Sequence, residues 1–351
     1  MGISFFTFQA LSYIIDTYRG TFEPGRLIDF AVFLSFFPHL VAGPIVRPGE
    51  LIPQFATPRD PRRVDTTRGF ALIGGGLFLK VVVANYLASR IVDEVFAAPD
   101  RHSSLEVLVG IYAYAVQIFA DFAGYTNIAI GVALLLGFKF PQNFASPYAA
   151  VSIQDFWRRW HMTLSRWLRD YLYIPLGGNR KGKARTYLNL MLTMLLGGLW
   201  HGASWTFVVW GGIHGTGLVF EHWRRDRRIA QGLPEPVDTP ARIWLRRLVT
   251  FNVVCLAWVF FRASSFSDAG AVLGRLFTGW GQPSPLVTTG VLAAIALGIG
   301  IQYVPAQLGE RAMGRFSRLS PVLQGVALGV ALMVVASMGP EGVAPFIYFR
   351  F

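Results

Sequence analysis

Apolar residues run in long blocks along this chain, at 28–46, 70–98, 105–138, 187–200, 205–220, 243–261, 285–304 and 321–338, with basic residues gathered in the gaps. A helix needs about 20 mostly apolar residues to cross the hydrocarbon core of a bilayer. The pattern therefore predicts an all-α, polytopic membrane protein of roughly eight to ten membrane helices or re-entrant segments. Two blocks are not plain spans: 28–46 holds Pro38, His39 and Pro44, and 105–138 holds Gln117, Asp121, Gly124 and Asn127. Polar and helix-breaking groups survive at membrane depth only where protein or a wet cavity satisfies them, so these two are expected to face protein.

Arginine and lysine cluster at Arg59–Arg68, Arg158–Arg169, Arg180–Arg185 and Arg224–Arg247. The positive-inside rule places these segments on the cytoplasmic side. If 185 and 224 are both cytoplasmic, the chain between them goes in and returns, with a turn near His201, Gly202, Ala203 and Ser204. Its two arms, 187–200 and 205–220, are short for full spans, which predicts a tilted or re-entrant hairpin. The stretch 152–173 reads differently. At helical spacing Trp157, Trp160, Leu164, Trp167, Leu168 and Tyr171 share one face, and Arg158, Arg159, Arg166 and Arg169 the other. That is the pattern of one amphipathic helix at the cytoplasmic interface, ending before Pro175.

Composition sharpens the class. Of 351 residues only 15% are charged, against about 25% in a soluble domain, while 53% are apolar; 32 Lys and Arg against 20 Asp and Glu leave a net charge of +12. Because the positive charges flank spans and interleave with Trp, anionic lipid head groups are the expected partner and nucleic acid is not. Cys255 is the one cysteine, so neither an intramolecular disulfide nor a cysteine metal cluster can form. Met1–Thr7 has no basic n-region, so insertion is expected to rest on the spans. No repeat of fixed period is visible, and the chain is read as one membrane domain, 1–351.

The candidates for chemistry are the ionisable groups that a bilayer makes expensive: His39, Asp121, His161, His201 and His214, with Asn127 as a polar neighbour. His214 lies in Trp210-Gly-Gly-Ile-His214-Gly. A buried neutral imidazole can take a proton from a hydroxyl and return it, as acyl transfer requires. It can equally be a hydrogen-bonded bridge between helices, and composition leaves both readings open. The histidines lack zinc-site spacing, so no metal is expected. Gly74-Gly-Gly76 lacks the ending of a phosphate loop and reads as helix packing.

Several blocks resemble the membrane-bound O-acyltransferase family, in its alginate O-acetyltransferase branch: Phe156-Trp-Arg-Arg-Trp-His161-Met-Thr-Leu-Ser, Trp167 to Arg180, Asp121-Phe-Ala-Gly-Tyr125, Asn143-Phe with Pro147-Tyr, Gly197-Gly-Leu-Trp-His201-Gly, Trp210 to Gly215, Trp258-Val-Phe-Phe-Arg262 and Phe346-Ile-Tyr-Phe-Arg-Phe351. The resemblance implies helices around a central tunnel, a cytoplasmic thioester donor (acetyl-CoA or an acyl carrier) and no bound cofactor. It makes His214 the catalytic histidine and His161 a second site residue. Asp121, Trp160, His201 and Arg169 are then candidate donor or tunnel contacts. It further implies the inner membrane of a bacterium, an exported polysaccharide as acceptor, and a periplasmic acetyltransferase and polysaccharide export machinery as partners. Three alternatives stand beside it: D-alanyl transfer to teichoic acid, a transporter, for which no paired halves are seen, and a protein-lipidating acyltransferase. The chain departs from the family pattern at Asn127, where an acidic residue is usual. It also departs at Gly2–Tyr13, which resembles a block that normally follows further membrane segments, so an N-terminal part is expected to be missing.

Overall fold

The computed structural model describes residues 2–40 and 43–338; the Phe346–Phe351 block lies outside them. The described residues form helices and no strand. In chain order these are α1 (Gly2–Tyr18), α2 (Leu27–Ser35), α3 (Pro48–Phe55), α4 (Thr66–Ala97), α5 (Ser104–Leu135), α6 (Ile153–Arg159), α7 (Met162–Leu168), α8 (Lys183–His201), α9 (Trp205–Ala230), α10 (Pro240–Arg262), α11 (Phe266–Thr278), α12 (Thr289–Gly300), α13 (Ala306–Phe316) and α14 (Pro321–Met338).

Among them α4, α5, α10 and α14 are long and apolar enough to cross a membrane, and a fifth span results if Thr289–Tyr303 and α13 count as one bent segment. The hairpin arms α8 and α9 account for the two shorter blocks, with the turn at Gly202–Ser204 and the Ser204 hydroxyl accepting the Thr206 N–H to start α9. Block 28–46 is not one helix. It stops at Ser35 and tightens into a 3-10 turn over Phe37–His39, because Pro38 has no N–H to give and restricts the residue before it.

The chain divides into two compact units. One is built from the described parts of Met1–Tyr86, Gln117–Asn143 and Tyr303–Arg350; the other from Leu87–Val116 and Phe144–Gln302. In the first, Phe33, Val46 and Leu51 are buried under Tyr13, Phe36, Phe55, Phe138 and Phe140. His39 lies among Phe36 and Phe140, with ring centroids 5.9 and 5.3 Å away. Here α4 meets α5 backbone to backbone: a Cβ on Gly76 would stand 2.6 Å from the Gly124 carbonyl oxygen, and one on Gly124 2.7 Å from that of Gly76. That approach brings the Lys80 ammonium, one turn beyond Gly76, onto the Asp121 carboxylate in a buried ion pair. Pairing is what makes two such charges tolerable at membrane depth.

The second unit holds the α8–α9 hairpin with α6, α7, α10, α11 and α12. The hairpin is as tight as the α4–α5 crossing. A Cβ on Gly198 would lie 2.3 Å from the Phe207 carbonyl oxygen, and one on Gly211 2.3 Å from that of Met194. Gly211 and Gly215, on either side of His214, are thereby held against Met191 and Met194 of α8.

Candidate active site

The stretch expected to be one amphipathic helix is broken in the middle. α6 closes with the Trp160 N–H donating to the Phe156 carbonyl at 2.8 Å, and α7 opens with the Ser165 N–H donating to the His161 carbonyl at 3.0 Å. Between them Trp160 is extended (φ −98°, ψ 130°) and His161 is left-handed (φ 41°, ψ 55°). A residue with a Cβ pays for that conformation, and it persists where the surroundings enforce it. The loose carbonyls at the break are met: Arg159 O accepts the Ala145 N–H at 2.9 Å and Trp160 O accepts the Ser165 hydroxyl at 3.3 Å. The break turns both Trp160 and His161 inward, His161 to 0% exposure. The aromatic face read from the sequence is buried throughout, while Arg158 and Arg169 stay exposed. The two short helices thus pack their aromatic side into protein.

His214, also fully buried, sits in a shell of rings. Phe156 lies nearly parallel to it at 5.7 Å and 11°; Trp157, Trp210 and Trp258 meet it edge-on at 5.2, 5.0 and 6.4 Å. Neither ring nitrogen of His214 has a hydrogen-bond partner among the described residues, nor have the indole N–H groups of Trp157 and Trp210. Buried polar atoms are rarely left so, and here four of them converge on three rings in mutual contact. Among those residues the imidazole makes no hydrogen bond to a second helix.

The other two histidines join it through tryptophans. Trp210 touches His201 at 5.0 Å, as it does His214. Trp200 touches His201 at 4.9 Å and His161 at 6.3 Å. His161, Trp200, His201, Trp210 and His214 therefore form one alternating string of rings. Phe261 closes on His201 at 5.1 Å, and Trp160 packs on Trp258 at 5.0 Å.

A cavity of about 890 Å³ adjoins this shell; Trp157 lines it and also touches His214. Arg158, Arg166, Arg169, Lys183 and Arg225 contribute to its wall, against one carboxylate there, Asp226. His222, beyond the apolar part of α9, lines it too. Burial, and then the neighbouring Arg225, hold the His222 imidazole below its usual value, so the positive character of the cavity comes from the arginines and the lysine.

A family model described as MBOAT, membrane-bound O-acyltransferase family, matches residues 16–228. This chain belongs to the membrane-bound O-acyltransferase family. It is 40% identical over 376 residues to a probable alginate O-acetylase of Pseudomonas putida, an alignment covering 100% of this chain and 75% of the relative. To the probable alginate O-acetylase of Azotobacter vinelandii it is 45% identical over 279 residues, 79% of this chain and 54% of the relative. A peptidoglycan O-acetyltransferase of Helicobacter pylori is 40% identical over 300 residues, 78% of this chain and 56% of that protein. The chain thus spans three quarters of one of these membrane-bound O-acyltransferases and little more than half of the other two.

Of the residues singled out in the sequence, the structure brings His214, His161, His201 and Trp160 into one aromatic cluster. Arg169 lies on the wall of the cavity, paired with Asp170 at 2.6 Å. Asp121 and His39 belong to the first unit, Asp121 with Lys80 as its partner. Among the described residues no three His, Cys, Asp or Glu side chains converge as metal ligands. Sequence reading passed over Lys80, a lone cation deep in an apolar block, and Glu221, a carboxylate two helical turns beyond His214. For Glu221 the signal was an ionisable residue at helical spacing from His214; for Lys80 it was a cation within an apolar block.

Proposed function

We propose that this chain is a membrane-embedded O-acetyltransferase that takes an acetyl group from a cytoplasmic thioester and passes it towards an exported or cell-surface polysaccharide, with His214 as general base. The observation that carries the reading is the buried His214 imidazole, both nitrogens unpartnered among the described residues, in a shell whose Trp157 also walls a basic cavity. In such a site the acceptor hydroxyl gives its proton to a ring nitrogen of His214. Its oxygen bonds to the thioester carbonyl carbon, the carbon–sulfur bond breaks, and the departing thiolate takes the proton from the imidazolium. Low dielectric strengthens the hydrogen bonds that orient the pair. The cationic cavity suits a donor that carries phosphate, as acetyl-CoA or a carrier-bound thioester does. The names of the alginate and peptidoglycan relatives support a polysaccharide acceptor. On this reading the chain works in a bacterial inner membrane beside lipid, a periplasmic acetyltransferase and the export machinery.

The test is base-labile acetate on envelope polysaccharide from cells lacking the gene, complemented with wild type or with His214→Ala at matched membrane abundance. A general base contributes about 10²–10⁴-fold, so acetate restored by wild type should fall to background with the variant. Equal restoration by both would remove His214 as the base. D-alanine in place of acetate in the base-labile fraction would move the chain to the teichoic acid branch.

A further inference from the structure

Helix α6 bears two walls of the His214 shell, Phe156 and Trp157, yet has only seven residues, too few to hold its own shape. Something must fix where it starts. The N–H groups of Ile153, Gln154 and Asp155 have no partner within the helix, and the structure supplies one for each of them. The Asp155 N–H donates to the Ser152 hydroxyl at 3.0 Å, while the Phe156 N–H makes the first intrahelical bond, to the Ser152 carbonyl at 2.9 Å. The remaining two are taken by a residue of another helix: Glu221 Oε1 accepts the Ile153 N–H at 2.6 Å and Glu221 Oε2 accepts the Gln154 N–H at 3.0 Å. A carboxylate that accepts two backbone N–H groups at once is held in one place and one orientation.

Glu221 stands on α9, two turns from His214 and on the same side of the helix. One helix thus carries the imidazole and the clip that holds the start of the helix walling it in. From the clipped Ile153 and Gln154, α6 advances one turn to the two rings that lie 5.7 and 5.2 Å from His214. Neighbouring contacts tie down the strand of chain before it, where Arg246 Nε donates to the Val151 carbonyl at 3.1 Å and Arg247 Nε to that of Ala149 at 3.3 Å. Those two fix the loop to α10, whereas Glu221 fixes α6 to the helix of the histidine. Gln154 also lines the basic cavity, so one carboxylate sets both the walls of the shell and part of the cavity rim.

We propose that Glu221 is a positioning residue for acyl transfer, holding α6 in register with α9 so that Phe156 and Trp157 frame His214. This rests on His214 being the base. The full chain, purified in detergent, is examined by near-ultraviolet circular dichroism, which reads the asymmetric packing of the tryptophan cluster. In parallel, base-labile acetate is measured in complemented cells at matched membrane abundance. Glu221→Ala should reduce acetate at least tenfold and flatten the aromatic dichroism. Glu221→Gln, which keeps one acceptor oxygen, should recover part of both, giving the order Glu, Gln, Ala in the two readouts together. Unchanged acetate in Glu221→Ala overturns the proposal. So does lost acetate with wild-type dichroism, which would mean that the carboxylate acts other than by holding the rings. If Glu221→Ala does not accumulate, Glu221→Gln decides: wild-type values in both readouts overturn the clip. His214→Ala separates the two claims, since full acetate there with altered dichroism in Glu221→Ala would sink the base and leave the clip standing.

Discussion

At His161 the side chain and the backbone make separate demands. The imidazole is buried beside Trp200, and the main chain beneath it is left-handed at φ 41°. Glycine adopts that conformation freely, whereas a residue with a Cβ is strained there by about 1–2 kcal/mol. His161→Gly and His161→Ala both remove the ring, but only alanine keeps the strain. The glycine variant should therefore be more stable than the alanine variant by about 1 kcal/mol, read as a higher melting temperature in detergent. If the order were reversed, the left-handed turn at 161 would not be a stored strain. Neither variant should restore acetylation if the imidazole itself is needed. His214 presents no such conflict, because an ordinary helical backbone carries it into its shell.

Among the elements, the long ones were legible in the sequence and the short ones were not. The α8–α9 hairpin followed from two basic flanks and a central turn, and α5 ran through Asp121 and Gly124 as one helix because its polar face meets protein. The aromatic face of 152–173 was read correctly while its continuity was not. Periodicity reports which side is buried but carries no sign of a single left-handed residue, which the preceding Trp160 and following Met162 do nothing to announce. The Lys80–Asp121 pair and the Glu221 clip escaped for a related reason: each joins residues far apart in the chain, through a close approach that depends on where glycines fall. That dependence is testable in the run Gly74–Gly76. A Cβ on Gly75 meets nothing within 4 Å, whereas one on Gly76 would stand 2.6 Å from the Gly124 carbonyl oxygen. Gly75→Ala should hold or raise stability by up to about 1 kcal/mol through helix propensity. Gly76→Ala should lower it by about 1–3 kcal/mol as the helices are forced apart. Similar melting temperatures for the two would show that α4 and α5 do not rely on that contact.

For the whole molecule, the single native cysteine makes its orientation in the membrane measurable. Cys255 is buried, so a thiol introduced elsewhere is read against a low background. Trp280, in the loop after α11, and Gln231, just past α9, are both exposed. With the arginine clusters on the cytoplasmic side, Trp280→Cys should react with a membrane-impermeant thiol reagent in intact spheroplasts. Gln231→Cys should react only after the membrane is opened. The opposite pattern would invert the topology and place the basic cavity on the far side from any cytoplasmic thioester.

The order of the helices along the chain bears on how the site comes into being. During synthesis α6 and α7, seven residues each, leave the ribosome well before α9 brings His214 and Glu221. Until then their tryptophans have no histidine to surround, and the first N–H groups of α6 have no carboxylate to meet. Helices of seven residues without those partners are too short to persist by themselves. A ribosome stalled before residue 205 would hold a chain with its spans α4 and α5 in place and its chemistry not yet begun.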